Sequence, residues 1–207
     1  MTDTVLQRLA SALVSRPLVY DVVQNLAGQA KVAARLREVI HRLPHDRVAD
    51  IGSAEGGFGL RLGVEPVFLD LDPRALRALR RKAPRARAVA ADASRLPLAD
   101  GRLDLALCVA IFHHLDDATL AAAVPELARV CSGRLLLLEP LRNEGRPISR
   151  WLWRYDRGRH PRTRDELLVC LASHFRVEEE IAFAVYHEYL ICVAVPKRIS
   201  ARPGPPR

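Results

Sequence analysis

Apolar and polar positions follow two rhythms along this chain. A helical rhythm comes first: Val5, Leu6, Leu9, Leu13 and Val14 share one helix face. Pro17 suits the first turn of a second helix. Its apolar face runs through Val22, Val23, Leu26, Val32, Leu36, Val39 and Ile40 to about Leu43, where Pro44 stops it. From Arg47 onward, short apolar runs alternate with helical stretches. Strands are expected at 47–51, 65–71, 86–91, 103–109 and 133–138. Helices are expected between them at about 57–62, 73–82 and 119–130. Pro73 opens the second of these and basic residues close it, both favourable placements. Residues 139–164 differ in character, holding both tryptophans and many arginines. A helix at 163–173, opened by a Thr163/Glu166 capping box, and strands at 175–183 and 188–195 complete the pattern.

Strand–helix alternation argues for a parallel sheet covered by helices on both faces. Such sheets bind ligands outside the carboxyl ends of their strands, near the switch in strand order. That rule selects residues 52–59, 70–72, 92–93 and 109–114. The chain divides into a helical N-terminal cover (1–45), a main domain (46–196) with an acceptor-side insertion (141–164), and a basic, proline-rich tail (197–207) expected to be disordered.

Composition adds limits. Of 207 residues, 49% are hydrophobic and 27% charged, which is globular rather than disordered usage. No apolar run is long enough to span a bilayer, and the first residues lack the pattern of a secretory signal. The four cysteines, Cys108, Cys131, Cys170 and Cys192, show no metal-ligand spacing and read as buried thiols, so no metal site and a cytoplasmic setting are expected. Half of the net charge of +8 comes from Lys197, Arg198, Arg202 and Arg207 in the tail. The charge is therefore a weak argument for a nucleic-acid partner.

The candidate chemistry lies at the strand ends. Asp50-Ile-Gly-Ser-Ala-Glu-Gly56 closes the first strand, and a glycine there lets the backbone turn sharply and approach a ligand. Asp70 closes the second, where a carboxylate can accept both hydroxyls of a ribose. Asp92 follows the third, where a carboxylate can accept from an exocyclic amine. Asp72 is the natural cap for the helix opening at Pro73.

These motifs, in this order, resemble class I methyltransferases, especially the branch of the ubiquinone- and menaquinone-biosynthesis enzymes. Val48 to Gly56 is similar to their first motif, Phe68 to Pro73 to the second, Ala91 to Pro97 to the third, and Leu103 to Leu115 to the fourth strand and the signature after it. The resemblance implies a Rossmann-like α/β class I methyltransferase fold: a seven-stranded, mostly parallel sheet with an antiparallel last strand. It implies S-adenosylmethionine as cofactor and S-adenosylhomocysteine as product. Gly52, Ser53, Ala54 and Gly56 would hold the methionine part, Asp70 the ribose, and Asp92 and the Ala93 backbone the adenine, with Asp50, Leu71 and Val109 as further cofactor contacts. The expected reaction is methyl transfer to oxygen or carbon of a small apolar or aromatic acceptor. His114 is the candidate base, and Tyr20, His113, Trp151 and Tyr155 are candidate acceptor contacts.

The sequence departs from the family pattern at Ala54, which replaces the central glycine, and in a span from Asp50 to Asp70 about one helical turn short. Ala54 and Glu55 disfavour a pyrophosphate near this loop. Cys108-Val-Ala-Ile111 stands where enzymes methylating exocyclic base amines carry Asp/Asn-Pro-Pro-aromatic, which also weighs against nucleic acid. An RNA methyltransferase, a non-methylating enzyme using the same sulfonium, a non-catalytic binder and an NAD(P)-dependent oxidoreductase are the alternatives. Basic and aromatic residues in the insertion leave peripheral membrane contact open. Oligomeric state is not addressed by any motif.

Overall fold

The computed structural model describes residues 29–142, 145, 153, 158–185 and 187–197. Seven strands form one sheet: β1 (Val48–Ile51), β2 (Val67–Asp70), β3 (Ala88–Ala90), β4 (Leu103–Val109), β5 (Cys131–Leu141), β6 (Phe175–Ala184) and β7 (Glu188–Pro196). Their spatial order is β3-β2-β1-β4-β5-β7-β6. The first five pair in parallel, and β7 inserts antiparallel between β5 and β6. This is the Rossmann-like class I arrangement expected from the motifs, with its antiparallel last strand. Strand order reverses between β1 and β4, so their carboxyl ends open the crevice where ligands collect.

Among the described residues four α-helices cover the sheet: α1 (Gln29–Ile40), α2 (Pro73–Lys82), α3 (Asp117–Val130) and α4 (Arg164–Ala172). Alternation along the strands decides which face each helix covers. Val48, Leu105, Leu107 and Leu136 point one way, toward Val32, Leu36 and Ile40 of α1. Phe68 points the same way and meets Leu76 and Leu79 of α2. Ala49, Ile51, Ala106 and Leu137 point the other way, toward Leu120, Val124 and Leu127 of α3 and Leu167 and Leu171 of α4. Each fully buried leucine in these layers contributes about 2 kcal/mol through removal from water. Asp72 caps α2, accepting from the Arg74 N–H at 2.8 Å, and the expected capping box opens α4.

Three expectations need correction. No α-helix forms at 57–62; a single 3-10 turn, Gly59–Arg61, stands there. The short span between Asp50 and Asp70 leaves no length for more. The helix expected from Thr119 starts at Asp117, because the Asp116 side chain accepts from the Thr119 N–H at 2.7 Å and caps the helix earlier. The strand expected at 133–138 runs over Cys131–Leu141, since β7 pairs with it as far as Leu141↔Glu188. The expected helices before Gln29, most of the insertion and residues 198–207 of the tail lie outside the described residues. No helix among the described residues is long and apolar enough to cross a membrane.

Candidate active site

Register brings the strand ends level. Ile51 lies beside Leu69 on one side and Cys108 on the other, and Asp70 beside Ala90. Just past Ile51 the chain turns back over β2: the Gly52 and Ser53 N–H groups both donate to the Leu69 carbonyl, at 2.8 and 3.1 Å. Gly52 holds φ +73°, a left-handed conformation that suits glycine, and a Cβ there would lie 2.2 Å from Ile111 Cδ1. The loop after β1 therefore closes directly on the turn after β4. Ala54 also has a positive φ, 47°, where the resemblance leads one to expect glycine.

Asp70 ties this loop to the second strand. One carboxylate oxygen accepts the Ala54 N–H at 2.7 Å and the other accepts the Asp72 N–H at 2.8 Å. Each oxygen keeps a lone pair for another donor. Leu71, next along, is 71% exposed at the mouth. Asp92 is held similarly: one oxygen accepts both the N–H and the hydroxyl of Ser94, which lowers its pKa. Ala93 follows it, half-buried.

Asp50 is buried at the end of β1. Burial pushes its carboxyl up to about 7, the Asp70 charge pushes the same way, and a hydrogen bond from the Gly59 N–H opposes both. Glu55, in contrast, is exposed and pairs with Lys82 of α2. The Ser53 hydroxyl is buried without a hydrogen-bond partner among the described residues.

The turn after β4 hangs on one carboxylate. Glu139, buried within β5, accepts the N–H groups of Ile111 at 2.8 Å, Phe112 at 2.6 Å and His113 at 3.3 Å. Its Oε2 also lies 2.7 Å from His113 Nδ1. A carboxylate can only accept here, so Nδ1 carries the proton and the basic nitrogen of neutral His113 is Nε2. His113 is buried, and a Cβ at Gly158 would come within 2.0 Å of its ring, so only glycine leaves room there. His114 is exposed, its ring centroid 4.2 Å from that of His113. Trp153 meets His113 edge-on at 5.7 Å and His187 at 5.0 Å, and its buried indole N–H has no acceptor among the described residues. The buried Arg162 guanidinium fastens the same turn from outside, donating to the Phe112, Leu115 and His160 carbonyls and to Asp117. A cleft of about 480 Å³ opens on the far side of Arg162, lined by Arg142, Arg159, His160, Glu166 and Cys170, away from the Gly52 loop.

The structure thus brings Asp50, Gly52, Ser53, Ala54, Gly56, Asp70, Leu71, Asp92, Ala93 and Val109 to the carboxyl ends of β1 through β4. His113 and His114 stand on the adjoining 3-10 turn, Phe112–His114. Tyr20, Trp151 and Tyr155 lie outside the described residues. Sequence reasoning missed Glu139 and Arg162 as parts of this site, while Trp153 belongs to the aromatic surface it expected in the insertion. The one signal for Glu139 is an acid closing the buried run Leu135-Leu-Leu-Leu138, which has to find partners there.

These groups suit a nucleoside carrying an amino-acid chain. Asp70 and Asp92 supply acceptors for hydroxyls and an amine. A dinucleotide fits less well, because Glu55 and the side chain of Ala54 occupy the loop.

Comparison with known proteins agrees. Residues 48–133 match a family model described as a methyltransferase domain. An uncharacterised methyltransferase of Mycobacterium tuberculosis is 36% identical over 103 residues, covering 47% of this chain and 41% of that protein. The chain therefore matches about two fifths of the length of the curated relatives. Among solved structures, an S-adenosylmethionine-dependent methyltransferase of Methanosarcina mazei superposes with a TM-score of 0.66 at 19% identity, over 76% of this chain and 96% of its own. A geranyl diphosphate methyltransferase, solved with geranyl diphosphate and sinefungin, gives 0.63 at 15% identity, over 80% of this chain and 78% of its own. Strand order and loop give the chain the fold of class I methyltransferases, and residues 48–133 match the methyltransferase-domain model within it.

Proposed function

We propose that the chain transfers the methyl group of S-adenosylmethionine to oxygen or carbon of a small, apolar or aromatic acceptor. The observation that carries the reading is Asp70: its carboxylate closes β2 and is bonded to Ala54 of the loop after β1, beside the switch in strand order. Asp70 would accept the ribose hydroxyls, with Leu71 a further cofactor contact beside it. Asp92 and the Ala93 backbone would bind the adenine edge. Asp50, Gly52, Ser53, Ala54 and Gly56 would hold the methionine part, with Val109 alongside. When bound, the cofactor supplies an electrophilic methyl group on a sulfonium and leaves as S-adenosylhomocysteine.

The chain's own residues then orient the acceptor and remove its proton. Aligning nucleophile and methyl supplies most of what such a displacement needs. His114 is the proposed base, because it is exposed at the turn while Glu139 fixes its neighbour His113. His113 and Trp153 would wall the acceptor, and the Trp153 N–H would donate to an acceptor oxygen. Tyr20, Trp151 and Tyr155 are proposed as further contacts. Two things support a small acceptor: the geranyl diphosphate methyltransferase has the same fold, and the motifs resemble the quinone-biosynthesis branch.

The test is release of S-adenosylhomocysteine with methyl-labelled cofactor and a panel of phenols, quinols and isoprenoids. His114→Gln should lower kcat about 100-fold for an oxygen acceptor, with cofactor affinity unchanged. Full activity in that variant removes His114 from the mechanism. No turnover with any acceptor class, despite cofactor binding, favours a non-catalytic binder.

A further inference from the structure

Between Pro73 and Ala91 the chain holds seven basic residues and no acid. Two are engaged: Arg80 donates to the Ala88 carbonyl, and Lys82 pairs with Glu55. The other five, Arg74, Arg77, Arg81, Arg85 and Arg87, are exposed and have no ion pair among the described residues. Some arginines elsewhere are paired. Arg35, Arg42, Arg47, Arg134, Arg164 and Arg176 each meet a carboxylate.

The five arginines form one surface. Arg74, Arg77 and Arg81 recur at helical spacing on α2, opposite Leu76 and Leu79, which are buried against the sheet. Arg85 and Arg87 continue the surface along the turn into β3, the edge strand. Val89 on that strand is 43% exposed and Leu71 before α2 is 71% exposed, so apolar side chains flank the charge. No aromatic residue lies between Pro73 and Ala91.

We propose that this α2/β3 face docks on an anionic lipid surface, its arginines meeting headgroup phosphates. Guanidinium groups bind phosphate oxygens in pairs, and each basic residue near an anionic lipid surface adds to the attraction. An outward-facing helix stripe with apolar residues beside it suits a lipid interface. Single-stranded nucleic acid would need aromatic platforms for its bases, which this face lacks. The face is joined to the candidate site: Asp72 caps α2 and donates its own N–H to Asp70. Docking therefore brings the mouth of that site toward the lipid. The proposal does not depend on the methyltransferase reading, because its test needs no turnover.

The test is sedimentation of the full chain with vesicles of equimolar phosphatidylglycerol and phosphatidylcholine. The chain binds at about 50 mM salt, is released at about 500 mM, and ignores vesicles of phosphatidylcholine alone. The double variant Arg77→Glu/Arg81→Glu lowers partitioning by about tenfold or more. Arg176→Glu, on β6, binds as wild type, and matching thermal melts show that both variants are folded. The proposal is overturned if the chain does not sediment at low salt or if the double variant binds as wild type. Loss of binding on removing residues 198–207 also overturns it, placing the lipid contact in the terminal segment. Duplex RNA that displaces the vesicles and itself loses affinity for the double variant reassigns the face to nucleic acid.

Discussion

The Ala54 N–H donates to Asp70 at 2.7 Å, tying the loop after β1 to the end of β2. Ala54 makes that bond from φ +47°, a conformation costing a residue with a Cβ about 1 kcal/mol. Ala54→Gly should remove the strain and restore chain entropy to the unfolded state in similar measure, leaving stability within about 1 kcal/mol of wild type. Ala54→Val, branched at Cβ, should lose about 2 kcal/mol. Urea denaturation measures both, and equal stabilities for the two variants would contradict this account of the loop.

Asp50 sets a pH dependence. Its folded pKa of about 7 lies above the ordinary carboxylate value, so the folded state binds its proton more tightly than the unfolded chain does. This contribution is complete below about pH 4 and is lost as pH rises through about 7. Asp50→Asn should therefore gain on wild type by up to about 1 kcal/mol per pH unit across that window, and no further above it. A stability difference flat with pH would remove the protonated Asp50 from the account. Ionised Asp50 also favours a cation, so the preference for S-adenosylmethionine over S-adenosylhomocysteine should rise with pH through about 7 in wild type and stay level in Asp50→Asn.

Glu139 and Gly158 frame His113. Glu139→Ala leaves three backbone N–H groups and one imidazole N–H of the turn without their acceptor, and should cost about 3 to 5 kcal/mol. Gly158→Ala places a methyl 2.0 Å from the His113 ring and should cost about 1 to 3 kcal/mol. If His113→Ala is added, the Gly158→Ala penalty should shrink. Additive penalties in this double-mutant cycle would contradict the contact.

Much of this was legible in the sequence, for local reasons. Aspartate and glycine punctuate the ends of β1, β2 and β3, and the cap residues Asp72 and Thr163 mark helix starts through bonds that reach only a few residues. The start of α3 was misplaced because Asp116 and Asp117 are adjacent candidates and only geometry selects the cap. The collapse of the expected 57–62 helix into one 3-10 turn depends on how little chain joins two strands whose spacing the sheet fixes. Glu139 and Arg162 were missed because their partners are distant in sequence: Glu139 bonds residues 111–113, and Arg162 reaches Phe112 across fifty positions. Nothing local in an acid before Pro140, or in one arginine among many, announces such a contact. The basic run from Arg74 to Arg87 stands in the sequence, but only the fold shows that five of its arginines are exposed and have no ion pair among the described residues.

Calorimetric titration of wild type and Asp70→Ala with S-adenosylmethionine, S-adenosylhomocysteine and NADH tests the central claim most directly. The account predicts that wild type binds both sulfur compounds and not NADH, and that Asp70→Ala weakens both by about 100-fold through loss of two charge-assisted hydrogen bonds. Binding of NADH in place of the sulfur compounds, or undiminished binding by Asp70→Ala, would contradict it.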